Sequence, residues 1–154
     1  MINVLFICLG NICRSPMAEA VFRHMVEEAG LSARFHIDSA GTGAWHIGEP
    51  AHRGTRAVLD KNGIHYRGRA RRVTAADYRS PESYIIAMDD SNYSDLVRTF
   101  GSHPRLYLLL DFVPHMQGKN VPDPYYNDNF DYVYDLVREG CRGLLARIRD
   151  EQKI

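Results

Sequence analysis

The chain of 154 residues has no excess charge, because nineteen basic residues balance nineteen acidic ones. No global field attracts nucleic acid or an acidic membrane, so any bound anion must be held by a local site. Long apolar runs are also absent and the mean hydropathy is −0.34, which excludes a membrane-spanning helix. The first apolar run, residues 4–8, is too short for a secretion signal. We therefore predict one cytoplasmic domain over residues 1–154, without membrane insertion.

Cysteine is scarce, with three residues in the whole chain. An odd number of cysteines without a secretion signal argues against a disulfide framework. A zinc site is not expected, because four residues separate Cys8 from Cys13, Cys141 is distant, and no two histidines have ligand spacing. The loop after Cys8 also lacks a P-loop lysine and a G-x-G-x-x-G pattern. We predict neither a metal nor a cofactor.

Apolar runs alternate with segments of helical spacing along the chain. Four runs are typical of buried parallel strands: residues 2–8, 34–41, 83–88 and 105–110. The spacing of apolar residues predicts four helices, at about 16–29, 52–62, 91–100 and 130–148. This alternation predicts an α/β fold, with a short parallel sheet of about four strands and helices on both faces. The loop at 112–129 is long, and long ordered loops are usually functional or mobile.

The segment CLGNICRSP, which begins at Cys8, follows the first predicted strand. Ligands of open α/β sheets bind beyond the carboxyl ends of the strands, so the Cys8 thiol is expected in that region. Gly10 and Asn11 are the residues best able to adopt positive φ, which would let residues 9–14 curl into a cup. Inward-pointing N–H groups in such a cup form a site for a tetrahedral oxyanion.

Two side chains after the cup suit phosphate chemistry. The planar fork of Arg14 can bind two phosphate oxygens, and its charge favours the thiolate form of Cys8. We predict that Ser15 caps the next helix, with Pro16 at the first helical position. The Ser15 hydroxyl could also donate to the thiolate and ease its departure. Alternatively, Cys8 is only a small apolar residue that ends a core strand, but Arg14 and Ser15 favour a nucleophile.

These residues resemble the low-molecular-weight protein tyrosine phosphatase family. CLGNICRSP is similar to its C-x5-R-[ST] phosphate loop, and DSAGTGAWHIGEP, ARRVT, IIAMDDSN and VPDPYY follow in the family's order. The resemblance covers nearly the whole chain, and it implies a flavodoxin-like three-layer fold and metal-free hydrolysis of phosphotyrosine in protein substrates. It implies Cys8 as nucleophile and Arg14 as phosphate ligand. The rest of the phosphate loop is then Leu9, Gly10, Asn11, Ile12, Cys13 and Ser15.

A phosphocysteine mechanism needs an acid for the leaving oxygen and then a base for water. Four aspartates follow the later strands: Asp89, Asp90, Asp111 and Asp123. The first two precede a helix and are interpreted as its cap and N-terminal charge, and the third as a turn residue. Asp123 lies between two prolines and could form a simple turn, but the resemblance of VPDPYY implies that it is the acid and base.

Aromatic residues in two loops are expected at the entrance to the cup. Trp45, Tyr125 and Tyr126 could sandwich a substrate ring, and the resemblance favours Trp45 with Tyr125. Trp45 could instead plug its own loop. A deep cup admits a phenyl ring, whereas phosphoserine would hold its phosphate too close to the backbone.

The resemblance also implies that Asn11 and Ser39 brace the phosphate loop. This chain departs from the pattern at Gly68, where many relatives carry a histidine within that network, and the spacing of His65 is wrong for a substitute. For Cys8 and Cys13 the resemblance implies a reversible disulfide against over-oxidation, although Cys13 could be a buried thiol.

Several alternatives follow from the same residues. Arsenate reductases share the loop but need a further cysteine pair, and only Cys141 remains, which we interpret as a core residue. Protein arginine phosphatases carry threonine at the position of Ile12. A non-catalytic phosphotyrosine-binding module would hold phosphotyrosine and release no phosphate.

The arginines at 67, 69, 71 and 72 are expected to lie on a solvated face or to attract an acidic phosphopeptide. Nothing in the sequence specifies an oligomeric state.

Overall fold

Four parallel strands form one sheet in the computed structural model, which describes residues 1–154. They are β1 (Ile2–Cys8), β2 (Phe35–Gly41), β3 (Tyr84–Ala87) and β4 (Leu106–Leu108), in the spatial order β2-β1-β3-β4. All three pairings are parallel, so each connection must cross over the sheet. The arrangement confirms the predicted flavodoxin-like α/β fold with about four strands.

Five α-helices form the outer layers: α1 (Arg14–Glu28) between β1 and β2, α2 (Arg53–Lys61) and α3 (Ala75–Arg79) between β2 and β3, α4 (Asp90–Phe100) between β3 and β4, and α5 (Phe130–Gln152) after β4. Alternate residues of β1 belong to two cores. Val4 and Phe6 lie in the larger core with α1, α2 and α5, whereas Leu5 and Ile7 lie in the smaller core with α3 and α4. A central strand buried on both faces explains the unbroken apolar run that predicted it.

Three local predictions were wrong. Helix α1 begins at Arg14, and Cys13 occupies the N-cap position without a side-chain hydrogen bond. Ser15 is therefore inside the first turn, not the cap, and Pro16 is the third residue of the helix, not the first. Helix α3 was missed because five residues are too few to show a periodicity, although Thr74 and Asp77 form a capping box there.

Strand β4 is shorter than predicted, because a 3-10 turn over Leu109–Phe112 replaces its last residues. The Asp111 carboxylate accepts hydrogen bonds from the Leu108 amide at 3.1 Å and the Gly118 amide at 2.9 Å. Asp111 is thus the turn residue that the sequence indicated. Leu109 and Leu110 are apolar because they are buried in the larger core, and not because they pair in the sheet.

The fold gathers the ends of β1, β2 and β3 at one edge of the sheet, beside the start of α1. The loop that precedes α5 returns to this edge, where the Val121 amide donates to the Met88 carbonyl at 2.9 Å. None of the helices has both the length and the apolar composition that a membrane span requires.

Candidate active site

Residues 9–13 connect β1 to α1 and form the floor of a surface cavity. Asn11 has a φ of 56°, a left-handed conformation that asparagine tolerates. Its backbone turn directs the Asn11 amide toward the Cys8 thiol, with an N–Sγ distance of 3.3 Å. Gly10 does not adopt a positive φ. Its lack of a side chain instead leaves room for the His46 ring, which would lie 3.0 Å from a Cβ at that position.

The Cys8 thiol is surrounded by hydrogen-bond donors at the N-terminus of α1. Its Sγ lies 3.0 Å from the Ser15 Oγ, and the Asn11 side-chain amide donates to that same Oγ at 2.8 Å. In its thiolate form the Cys8 sulfur can only accept, so it would receive hydrogen bonds from the Ser15 hydroxyl and from the Asn11 backbone amide. The side chain of Ser15 therefore acts beneath the thiol, which explains why it does not cap the helix.

The Arg14 guanidinium is buried above the same loop. Its Nη1 donates to the Asp89 carboxylate at 2.6 Å and to the Val121 carbonyl at 2.9 Å. Burial by itself would lower the pKa of Arg14, but the charges of Cys8 and Asp89 and the hydrogen bond to Asp89 outweigh it and raise the pKa. With both Nη1 hydrogens used, the Nε–Nη2 edge is left for an oxyanion.

Asp89 has two roles, one of which the sequence did not indicate. One of its oxygens accepts from the Asn92 amide at 2.8 Å, so the predicted cap of α4 is confirmed. The other oxygen holds Arg14 from a position 75 residues away. The partner of a buried guanidinium at that separation has no signal in the local sequence.

Asp123 lies at the opposite wall of the cavity. One carboxylate oxygen accepts from the Tyr125 amide at 3.0 Å, as in an Asx turn. The other lies 3.6 Å from the Arg14 Nη2. The loop thus holds Asp123 in place, with one oxygen beside the Arg14 guanidinium and the residue in the lining of the same cavity as Cys8.

The cavity has a volume of about 450 Å³. Its lining consists of His46 and most of the residues that the sequence indicated: Cys8, Leu9, Gly10, Ile12, Cys13, Arg14, Trp45, Asp123, Tyr125 and Tyr126. Asn11, Ser15 and Ser39 lie below its floor. The sequence did not indicate His46, whose Nδ1 lies 3.0 Å from a carboxylate oxygen of Glu49.

The rim is aromatic and open. Trp45 is 72% exposed and Tyr126 is 79% exposed, so neither ring is a plug in the core. The Trp45 indole lies over Gly43, where any Cβ would overlap with it. Tyr125 contacts Tyr126 edge-to-face, with ring centroids 5.2 Å apart. These rings give the mouth of the cavity exposed aromatic surfaces.

A buried network supports the floor from below. The Asn11 side-chain amide donates to the Ser39 hydroxyl at 2.9 Å, and that hydroxyl donates to the Glu19 carboxylate at 2.6 Å. The same Glu19 oxygen accepts from the Tyr66 hydroxyl at 2.9 Å. Burial and the charge of Glu19 raise the pKa of Tyr66, which keeps the phenol protonated as a donor.

Tyr66 occupies the space that the departure at Gly68 leaves free. A Cβ at Gly68 would overlap with the Tyr66 hydroxyl, so a side chain at position 68 and this placement of Tyr66 exclude each other. His65 is exposed and accepts from Arg67 instead, away from the network. Glu19 and Tyr66 were both missed, although a glutamate among the apolar residues of α1 is a signal for a buried polar contact.

The arginine run does not form one solvated face. Arg71 binds Asp38 and Asp77, each at 2.9 Å, and its amide donates to the Asn11 side chain at 3.0 Å. The hydrogen bond to Asp77 and the charge of Asp38 raise the pKa of Arg71. Arg71 is therefore a structural tie between the phosphate loop and α3.

The other two cysteines are buried thiols. Burial and the nearby Cys8 and Asp123 raise the pKa of Cys13 to about 12. Burial raises the pKa of Cys141, and this residue lies in the larger core, as the sequence indicated. All three cysteines are free, and no three His, Cys, Asp or Glu side chains are grouped to hold a metal ion.

Comparisons with known proteins give a consistent result. A family model described as low molecular weight phosphotyrosine protein phosphatase matches residues 3–154. The chain is 45% identical to the low molecular weight protein-tyrosine-phosphatase YfkJ of Bacillus subtilis, over the full length of both. The crystal structure of YfkJ superposes with a TM-score of 0.93, at 47% identity, and covers 98% of this chain and 96% of that one.

Two further matches bear on the substrate. The low molecular weight phosphotyrosine protein phosphatase of Schizosaccharomyces pombe is 50% identical, with 96% of this chain and 97% of that protein covered. The crystal structure of a Drosophila arginine phosphatase is 30% identical and has a TM-score of 0.87, with 95% of this chain and 97% of that chain covered. The same fold therefore occurs in proteins named for different phosphorylated residues.

Iodoacetamide at pH 7 is expected to label Cys8 and to leave Cys13 and Cys141 unmodified in the folded protein. The thiolate is the reactive form, and a pKa of about 12 keeps Cys13 a neutral thiol at this pH. Cys8 and Cys13 share one tryptic peptide, so fragment masses must locate the label. Inorganic phosphate should slow the labelling, and unfolded protein should be labelled at all three cysteines. Equal labelling of Cys8 and Cys13 in the folded protein would contradict this account.

Proposed function

The chain belongs to the low molecular weight phosphotyrosine protein phosphatase family, and we propose that it hydrolyses phosphotyrosine in protein substrates through a phosphocysteine at Cys8. One observation carries the proposal. The Cys8 thiol lies at the N-terminus of α1, in the same cavity as the free edge of Arg14 and the carboxylate of Asp123. A nucleophile, an anion site and an acid are thereby combined.

Substrate binding uses the positive groups around the floor. The Nε–Nη2 edge of Arg14 binds two phosphate oxygens. The loop amides and the N-terminus of α1 bind the third oxygen, because their N–H groups and the helix dipole favour negative charge. This places phosphorus directly above the Cys8 Sγ.

The reaction then proceeds in two displacements. The Cys8 thiolate attacks phosphorus while Asp123 donates a proton to the departing phenolate oxygen. Asp123, now ionised, accepts a proton from the water that attacks the phosphocysteine. Cys8 leaves as a thiolate, which accepts hydrogen bonds from the Ser15 hydroxyl and the Asn11 backbone amide.

The rim favours phosphotyrosine over phosphoarginine. Tyr125 and Trp45 offer aromatic surfaces to a phenyl ring. Ile12 lines the cavity with an aliphatic side chain, which has no hydroxyl to orient a guanidinium or a water molecule. The likeness of the fold to an arginine phosphatase does not discriminate between the substrates, so the argument depends on these side chains.

The network below the floor supports the phosphate loop in this proposal. Asn11 and Ser39 hold the loop, and Glu19 and Tyr66 hold Ser39. Tyr66 supplies the fixed donor that Gly68 cannot. The rigidity of the loop matters because an oxyanion site contributes most when its donors are oriented before the reaction.

Two sequence predictions remain predictions. Cys8 and Cys13 line the same cavity, which supports the proposal that they form a reversible disulfide when oxidised. The cytoplasmic location follows from cysteine usage alone. A non-catalytic binding module is disfavoured, because the family comprises phosphatases and this chain retains both Cys8 and Asp123.

The first experiment measures phosphate release from a phosphotyrosine peptide and from phosphoarginine, with Cys8→Ser as the blank. Rapid release from phosphotyrosine alone is expected. Preference for phosphoarginine would retain the Cys8 chemistry and reject the proposed substrate. Activity in Cys8→Ser would reject the nucleophile, and binding without release would restore the binding-module hypothesis.

Asp123→Asn is expected to lower turnover of a phosphotyrosine peptide by about 10²–10⁴-fold, the usual contribution of general acid catalysis. Turnover of an aryl phosphate with a nitrophenol leaving group should decrease much less, because that phenolate departs without a proton. The measurement compares kcat on both substrates. Asp128→Asn, in the same loop, is the matched control and should leave both unchanged. Equal losses on the two substrates would mean that another residue is the acid.

Tyr66→Phe is expected to lower kcat by about fivefold, which corresponds to the loss of one hydrogen bond of about 1 kcal/mol. Labelling of Cys8 by iodoacetamide should slow in parallel, because the floor beneath the thiol loosens. Tyr78→Phe is the control, since its hydroxyl donates to the Gly101 carbonyl at 2.8 Å, outside this network. If Tyr66→Phe lowers the free energy of unfolding as much as Tyr78→Phe does and leaves kcat unchanged, Tyr66 is only structural.

A further inference from the structure

A groove leaves the candidate active site on the side of Trp45. A second cavity of about 400 Å³ shares Trp45 with the first and ends at Thr42 and Arg72. A third cavity, of about 410 Å³, begins at the same Thr42 and Arg72 and extends to the C-terminal half of α4. The shared residues join these cavities into one depression, the Arg72 groove.

The sheet register gives the distance between this groove and the nucleophile. Cys8 is paired with Gly41 across β1 and β2, and Gly41 is paired in turn with Arg72 by a parallel bridge beyond β2. Two strand spacings place the Arg72 Cα about 10 Å from that of Cys8. An extended peptide advances about 3.3 Å per residue, so residues close to a bound phosphotyrosine reach the groove.

Arg72 differs from the other arginines near the groove in its partners. Arg71 is held by two carboxylates, and Arg98 pairs with Asp95. Arg72 has no carboxylate within ion-pair distance, and its Nε donates to the Thr42 carbonyl at 3.3 Å. That bond anchors the side chain through the backbone, and its terminal N–H groups remain available for a carboxylate, which a guanidinium binds in a planar fork.

We propose that Arg72 binds an acidic side chain one to three residues from the phosphotyrosine, so that the preferred substrates are acidic phosphopeptides. The inference rests on the proposed function, because the bound phosphotyrosine positions the peptide along the groove. The ion pair is exposed, so its effect is a selectivity of about three- to fivefold at low ionic strength that decreases as salt is added.

The test measures the dissociation constants of three phosphotyrosine peptides that differ only in their flanking residues, which are glutamate, glutamine or lysine. Binding is measured by fluorescence anisotropy to Cys8→Ser, which retains the cavity and cannot turn over the peptide. The glutamate peptide is expected to bind about three- to fivefold more tightly than the glutamine peptide. In Cys8→Ser with Arg72→Gln, the two should bind equally.

Two controls separate recognition from structure. Arg67→Gln removes an exposed charge from the same run and should preserve the glutamate preference. In the wild-type background, Arg72→Gln should leave kcat/KM for a small aryl phosphate unchanged, because that substrate has no flanking residues, and should raise KM only for the glutamate peptide. An equal loss on all substrates would mean that Arg72 supports the fold, and it would overturn the proposal.

Two other outcomes would also overturn it: no glutamate preference in Cys8→Ser, or a preference that persists in Arg72→Gln. Phosphate release from the glutamine peptide distinguishes failure of the proposed function from failure of the Arg72 proposal. If the wild-type protein releases no phosphate from that peptide, the phosphatase proposal fails, while the binding ratio still tests Arg72. If none of the three peptides binds to Cys8→Ser, the Arg72 proposal fails as well.

Discussion

The side chain of Asn11 makes the hydrogen bonds on which the phosphate loop depends. Its amide nitrogen donates to Ser15 and Ser39, and its carbonyl oxygen accepts from the Arg71 amide. These bonds connect the turn after β1 to the second residue of α1, to β2 and to the segment that contains Arg71. They also offset the left-handed conformation of Asn11, which directs its backbone amide at the Cys8 thiol. One residue therefore links the shape of the loop to the environment of the Cys8 thiol.

The buried positive charge of Arg14 is balanced by its hydrogen-bond acceptors. Arg14 is almost completely buried, and a buried cation is costly unless it is paired. Asp89 supplies that pairing from the start of α4, and the Val121 carbonyl supplies a second acceptor from the loop before α5. Because these bonds use Nη1, they constrain the orientation of the guanidinium, and its Nη2 lies 3.6 Å from Asp123. The same loop carries Val121 and Asp123, so the position of the proposed acid is coupled to that of the proposed anion site.

In the network beneath the floor, Tyr66 compensates for the lack of a side chain at Gly68. Gly68 has no side chain, and the Tyr66 ring occupies the space that a side chain at position 68 would need and reaches Glu19. Ser39 then joins Glu19 to the loop. A phenol with a raised pKa remains a donor across the physiological range. The network from Asn11 through Ser39 and Glu19 to Tyr66 is therefore complete without a side chain at position 68.

The sequence by itself determined the features that depend on local order. The apolar run of β1 specified a central strand, and the spacing from Cys8 to Arg14 specified a cup at its end. Tertiary structure decided which groups satisfy the buried polar atoms: Asp89 reaches Arg14 across 75 residues, and Tyr66 reaches Glu19 across 47. It also placed Ser15 beneath the thiol when a cap was expected. Apolar periodicity is a property of neighbouring residues, whereas a buried hydrogen bond depends on segments that meet only when the chain has folded.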